Sequence, residues 1–172
     1  MNGYWYGRNG PGILLDALNR AGPAVADLTV IGGISPPIAA QMRRAIRQPL
    51  APGPARSRRE LYKRLHQADA AVVTMDTASA AESRIPAKVY DYLATGVPLI
   101  AVCPPGAALL QIPEARRFHH VHHQDIIGLV TLLRHAMRDR TSLRRGMPGE
   151  GPAREHGVTV LDTLLRRLVQ KP

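Results

Sequence analysis

The stretch that decides the fold is Arg84-Ile-Pro-Ala-Lys-Val-Tyr-Asp-Tyr-Leu-Ala-Thr-Gly-Val-Pro-Leu-Ile-Ala-Val102. Pro86 indicates a helix start, because proline fits the first helical turn, where its missing N–H is not needed. Gly96 suits a helix C-terminus, which favours a residue able to adopt positive φ, and Pro98 prevents the helix from continuing. The apolar run Leu99–Val102 is typical of a strand covered on both faces. The stretch therefore predicts a loop, a short helix, a turn and a buried strand.

The predicted helix carries two charged side chains near its start. Lys88 and Asp91 are three residues apart and therefore lie on one helical face. The first N–H groups of a helix have no partner within the helix and can hold an anion. A simple ion pair between Lys88 and Asp91 on an exposed face is the structural alternative to a binding role for Asp91. This helix start is the first candidate for a ligand site.

Helices and strands alternate on both sides of this stretch. The pattern predicts helices over 13–19, 36–47, 57–68, 107–111, 125–137 and 158–169, and strands over 28–31, 50–51, 69–75 and 118–121. Ser57 and Glu60 fit a capping box, Asp125 fits an N-cap, and Asp76–Ser83 is predicted to be a polar loop. Alternating strands and helices favour a parallel sheet with right-handed crossovers. We therefore expect one three-layer α/β, Rossmann-like domain over residues 1–172, with a C-terminal helix at about 157–170.

The composition sets the environment in which such a domain would work. A chain of 172 residues can form a hydrophobic core that is stable without disulfide bonds or metal ions. Its single cysteine, Cys103, excludes an internal disulfide framework. No apolar run is long enough to span a bilayer, and no basic-then-apolar signal pattern opens the chain. These features predict a cytoplasmic protein, with peripheral contact with an anionic membrane left open.

The charge balance is strongly basic. The chain has 23 basic and 13 acidic residues, a net charge of +10 at pH 7. Such a balance favours anionic partners, which are phosphorylated metabolites, anionic lipid surfaces or nucleic acid. Half of the arginines occur as scattered adjacent pairs, which solvated surfaces would also explain. Aromatic residues make up only 4% of the chain, too few to interleave for base stacking, so nucleic acid is the least favoured of these partners.

Two further features, a run of histidines and a single cysteine, are candidates for a metal site and a nucleophile. The run His119-His-Val-His-His123 would place two histidines on each face of an extended segment, enough for a surface transition-metal site. Because no second cluster of ligands accompanies the run, we favour a pH-sensitive patch and expect no metal. Cys103 follows a predicted strand and has no evident base nearby, so we expect a small buried side chain rather than a nucleophile.

The order of elements around Glu82-Ser-Arg-Ile-Pro-Ala-Lys-Val-Tyr-Asp-Tyr-Leu-Ala-Thr-Gly-Val-Pro98 resembles the C-terminal half of retaining GT-B glycosyltransferases of group 1, family 4. Three further segments support the resemblance. Tyr6-Gly7 precedes the predicted helix residues 14–18, and residues 28–33 are predicted to form a strand that ends in two glycines. Residues 59–61 of a predicted helix lead to the strand region 68–73. The resemblance implies a domain that binds a nucleotide-diphosphate sugar and needs no cofactor. The acceptor half would belong to a separate domain or chain, so the chain would be a truncated, incomplete catalyst.

The resemblance assigns seven donor-binding residues by position: Arg8, Gly32, Gly33, Glu82, Ala87, Lys88 and Asp91. Asp91 would accept hydrogen bonds from the ribose hydroxyls, a task that suits a carboxylate. Glu82 would lie near the transferred sugar. The backbone N–H groups of Ala87 and Lys88 would meet the diphosphate, and the Lys88 side chain would add positive charge there.

The other three of these residues lie earlier in the chain, Arg8 in the first loop and the two glycines after the predicted strand 28–31. Gly32 and Gly33 would let the backbone pass close to the donor. Arg8 would neutralise the leaving diphosphate, which a site without a metal requires. No catalytic residue is assigned by the resemblance.

The sequence departs from the family pattern, and two other functions stay open. Eight residues separate Glu82 from Asp91, where the family has seven, and the second acid is the shorter aspartate. One alternative is a non-catalytic remnant or regulatory partner of a larger glycosyltransferase. The other is a basic module that binds anions or nucleic acid through its arginines. If the chain is an enzyme, the resemblance implies a glycosyltransferase acting on hexosyl donors.

Overall fold

The computed structural model describes residues 12–22, 28–31, 36–45, 51–53, 57–75, 78–139 and 141–144. The α-helices are α1 (Gly12–Ala21), α2 (Pro36–Ala45), α3 (Arg58–Gln67), α4 (Ala78–Ser83), α5 (Lys88–Thr95) and α6 (Ile126–Arg138). The strands are β1 (Thr29–Ile31), β2 (Ala51–Gly53), β3 (Ala71–Thr74), β4 (Leu99–Val102) and β5 (His119–Val121), and two 3-10 helices cover Ala108–Gln111 and Pro113–Arg117. The chain is a mixed α/β protein.

All described strand pairs are parallel, as predicted. β4 lies between β3 and β5, with Val73 opposite Ala101 and Val102 opposite Val121. β1 and β2 form a separate parallel pair. The single sheet expected from the sequence is therefore divided, among the described strands, into groups of three and two. The three-stranded group has helices on both faces, in agreement with a layered α/β arrangement.

Two apolar cores lie on opposite faces of the three-stranded sheet. Leu99 and Ala101 of β4 belong to the core shared with α3 and α5, whereas Ile100 and Val102 belong to the core shared with α1 and α6. All four side chains of β4 are buried. This alternation explains the uninterrupted apolar run in the sequence, because both faces of the strand are covered.

The helix ends follow the local sequence signals. Ser57 Oγ accepts from the N–H of Glu60 at 3.1 Å, and Asp125 Oδ1 accepts from the N–H of Gly128 at 2.8 Å. Gly96 ends α5 with φ 65° and ψ 15°, in the left-handed region. These observations confirm the Ser57 half of the capping box predicted for α3, the Asp125 cap of α6 and the glycine end of α5.

Some local predictions differ from the structure. The segment Asp76–Ser83 was expected to be a loop, but α4 begins at Ala78, because its alanines favour helix over the coil suggested by its serines. The 3-10 helix Pro113–Arg117 was not anticipated. The predicted C-terminal helix at about 157–170 lies outside the described residues.

Candidate functional site

The candidate site lies at the carboxyl edge of the three-stranded sheet. α3 and α5 each end a few residues before the strand that follows, so each C-terminus is close to the amino end of that strand. Their N-termini, at Arg58 and Lys88, are therefore directed toward the carboxyl edge, because connecting helices run antiparallel to parallel strands. In open α/β sheets, ligands bind outside this edge.

Asp91 is held there by two side chains of α3. Its Oδ1 accepts from Nη2 of Arg58 at 2.9 Å and from the hydroxyl of Tyr62 at 3.0 Å. The Tyr62 hydroxyl in turn accepts from Nε of Arg58 at 3.0 Å. The three side chains thus form a closed triangle of hydrogen bonds, which we call the Asp91 triangle. These bonds to Asp91 and Tyr62 also raise the pKa of Arg58.

The Asp91 triangle shows which cation pairs with Asp91. The ion pair of Asp91 is made with Arg58, which lies on a different helix, and not with Lys88. The side chain of Asp91 is 25% exposed, whereas that of Arg58 is 76% exposed. Asp91 is therefore a fixed carboxylate that solvent, and hence a ligand, can still reach.

The start of α5 contains the Lys88 side chain and the two backbone N–H groups assigned to the diphosphate. The N–H groups of Val89 and Tyr90 donate to the carbonyls of Pro86 and Ala87 at 2.9 and 3.2 Å. The N–H groups assigned to the diphosphate, those of Ala87 and Lys88, immediately precede these bonded amides. Ala87 is the N-cap residue and has no polar side chain with which to cap the helix.

Lys88 is the cationic side chain at the start of α5. Desolvation lowers its pKa, although Lys88 as a residue is exposed. Loss of water from an ammonium group makes a neighbouring anion more favourable to it, because less hydration must be given up on binding. Lys88 is therefore suited to an anionic ligand at the start of α5.

Glu82 lies on α4, whereas the sequence predicted a loop at this position. Its Cγ is 4.0 Å from the Cβ position that a side chain at Gly106 would take, so it lies beside the loop that follows β4. Glu82 is exposed. The structure thus places Glu82 by the carboxyl end of β4 and turns Asp91 toward α3, so the two acids have different neighbours.

The other assigned residues, Arg8, Gly32 and Gly33, lie outside the described residues. Of the seven predicted donor-binding residues, the structure therefore describes Glu82, Ala87, Lys88 and Asp91.

The histidine run has structural partners. Nε2 of His119 lies 2.9 Å from the carbonyl oxygen of Leu143, and Nε2 of His120 lies 3.0 Å from that of Cys103. The rings of His122 and His123 have centroids 4.4 Å apart. Among the described residues, no group of three or more His, Cys, Asp or Glu side chains is arranged to hold a metal ion.

Cys103 is fully buried, as expected for a small apolar side chain. Burial raises its pKa to about 11. A thiol with so high a pKa is almost entirely protonated at neutral pH and is a poor nucleophile.

Comparisons of the chain with protein-family models, with curated proteins and with solved structures gave no match. Within the described part of the chain, no helix is both long and apolar enough to cross a membrane.

Arg58 and Tyr62 are site residues that the sequence did not indicate. Both lie on α3, 33 and 29 positions from Asp91 along the chain. Their spacing of four residues places them on one face of α3, which is the only local signal they share. Their contact with Asp91 depends on the packing of α3 against α5.

Proposed function

We propose that this chain is the donor-binding domain of a glycosyltransferase of the GT-B type, and that it binds a nucleotide-diphosphate sugar at the carboxyl edge of its three-stranded sheet. The acceptor would be held by a separate domain or chain. The observation that carries this proposal is Asp91, a fixed and partly exposed carboxylate on the helix that opens with Ala87 and Lys88.

The chemistry of these groups matches the parts of such a ligand. A carboxylate accepts hydrogen bonds from the vicinal hydroxyls of a ribose. One turn away, the backbone N–H groups at the start of α5 and the Lys88 ammonium would meet a diphosphate. Glu82, beside the loop after β4, would contact the transferred sugar.

Isothermal titration with uridine diphosphate and guanosine diphosphate tests the proposal directly. We expect one of them to bind the full chain saturably, and Asp91→Asn to weaken that binding roughly tenfold or more, the effect of losing one charged hydrogen bond. Asp16→Asn is the matched control, because Asp16 is exposed on α1, on the opposite face of the sheet. This variant should bind as the wild type does.

Two results would contradict the proposal. One is the absence of nucleotide binding at millimolar concentration, and the other is binding that Asp91→Asn does not change. Salt-dependent binding of DNA or RNA that Asp91→Asn leaves unaltered would instead support the basic-module alternative.

A further inference from the structure

Both hydrogen bonds that Asp91 receives from α3 fall on the same carboxylate oxygen. Oδ1 accepts from Arg58 and from Tyr62, which occupies the two lone pairs of that oxygen. Within the described residues, no hydrogen bond reaches Oδ2. The Asp91 triangle therefore leaves one oxygen of the carboxylate committed to the fold and the other available.

The Asp91 triangle also fixes the orientation of the carboxylate. Arg58 contacts both other members, since its Nε donates to Tyr62 and its Nη2 to Asp91. The guanidinium carbon lies 5.4 Å from the centre of the Tyr62 ring, a cation–π distance. Three mutual contacts restrict all three side chains to one arrangement more strongly than a single surface ion pair would.

We propose that Arg58 and Tyr62 are positioning residues of the donor site: they hold Oδ1 of Asp91 so that Oδ2, with its two lone pairs, accepts from the vicinal ribose hydroxyls. This inference rests on the function proposed above. It names two residues of α3 as determinants of ribose recognition and assigns the ligand contact to one atom. A carboxylate free to rotate would offer either oxygen and would lose side-chain entropy on binding.

A deoxynucleotide separates positioning from general structural support. In the wild type, the nucleoside diphosphate that binds should bind roughly tenfold more tightly than its 2′-deoxy counterpart, because the 2′-hydroxyl donates to Oδ2. Tyr62→Phe keeps the aromatic ring and removes the hydroxyl that holds Oδ1. We expect this variant to lose most of the preference for the ribonucleotide, with affinity for the deoxynucleotide little changed.

Arg58→Gln provides a second and independent variant. Arg58 is largely exposed, so its replacement should leave the fold intact while removing the charged donor to Oδ1. The matched controls are Tyr90→Phe and Arg59→Gln, an exposed tyrosine on α5 and the exposed neighbour of Arg58 on α3. Both controls should keep the wild-type preference for the ribonucleotide, and thermal unfolding should show that all four variants are folded.

The outcomes distinguish this inference from the proposed function. If the wild type binds no nucleotide, the proposed function is refuted and this inference with it. If the wild type binds and Asp91→Asn weakens binding, but Tyr62→Phe and Arg58→Gln keep the ribonucleotide preference, the function stands and the positioning role is wrong. An equal loss for both nucleotides in these variants would also overturn it, since that result indicates general structural support.

Discussion

Adjacent side chains on α5 have different chemistry because they face different surroundings. Asp91 is partly exposed and paired with Arg58. Tyr92, the next residue, packs against the apolar core that includes Val89. Burial, and to a lesser extent the negative charge of Asp91, raises the pKa of Tyr92 to about 12. One residue of α5 is thus available to a ligand, while its neighbour contributes to the core.

The raised pKa of Tyr92 predicts a loss of stability at alkaline pH. The phenol ionises near pH 10 in the unfolded chain but near 12 in the folded one, so its contribution is complete below pH 10 and is lost between pH 10 and 12. The loss is on the order of 2 kcal/mol. Urea unfolding at pH 8, 10 and 11.5 should show a shallower decline for Tyr92→Phe than for the wild type.

The exposed Tyr90 supplies the control for that experiment. Tyr90→Phe should leave the decline between pH 10 and 12 as steep as in the wild type, because Tyr90 is 53% exposed. An unchanged slope in Tyr92→Phe would show that the alkaline loss has another origin.

The sequence indicated the acid of the candidate site but not the side chains that hold it. The helix that carries Asp91 was recognisable because it has a clear start at Pro86 and a clear end at Gly96. Arg58 is brought to it by packing between helices 33 positions apart, and no local pattern encodes that contact. Single residues were therefore predictable from local signals, whereas their partners depended on tertiary structure.

At the scale of elements, some helices were predictable from local sequence signals, whereas one depends on tertiary contacts. α3, α5 and α6 carry caps or stop signals and were predicted with nearly their observed bounds. α4 has no such signal, because its alanines favour helix while its serines suit a loop as well. Its neighbour in the fold, the 3-10 helix Ala108–Gln111, supplies the contact that the sequence does not encode.

The end of α5 gives a prediction about an element. Gly96 has φ 65°, and a Cβ added to it would meet no atom within 4 Å, so Gly96→Ala brings backbone strain without a clash. We expect the variant to lose about 1 kcal/mol of unfolding free energy, measured by urea denaturation.

Gly106→Ala is the matched control for that loss. A Cβ at Gly106 would lie 4.0 Å from Glu82 Cγ, an ordinary van der Waals contact, and the residue does not have positive φ. Its stability should equal that of the wild type. Equal stability of both variants would show that the left-handed conformation at Gly96 carries no cost.

At the scale of the whole molecule, the described residues contain two apolar cores separated by the three-stranded sheet. The core on the α6 side is filled by side chains such as Leu18, Ile100 and Leu129. Leu129 is fully buried, whereas Ile127, two residues earlier on the same helix, is 74% exposed. Stability should therefore depend on which face of α6 a residue occupies.

Truncations on α6 test this organisation. Leu129→Ala should lower the free energy of unfolding by about 3 kcal/mol, because it removes buried methyl groups and leaves a cavity. Ile127→Ala should change it by less than about 0.5 kcal/mol. Denaturant unfolding measures both values, and similar losses in the two variants would contradict the two-core arrangement.

The two-sided burial of β4 has a consequence for Asp91. If β4 slid by one residue against its neighbours, Ile100 and Val102 would exchange faces with Leu99 and Ala101, and neither core would be filled as it is now. The strand therefore has one allowed position along the sheet. Because only residues 96–98 join α5 to β4, the position of β4 also restricts how far α5 can shift along its own axis relative to the sheet. The position of the Asp91 carboxylate along the sheet thus depends on the register of β4.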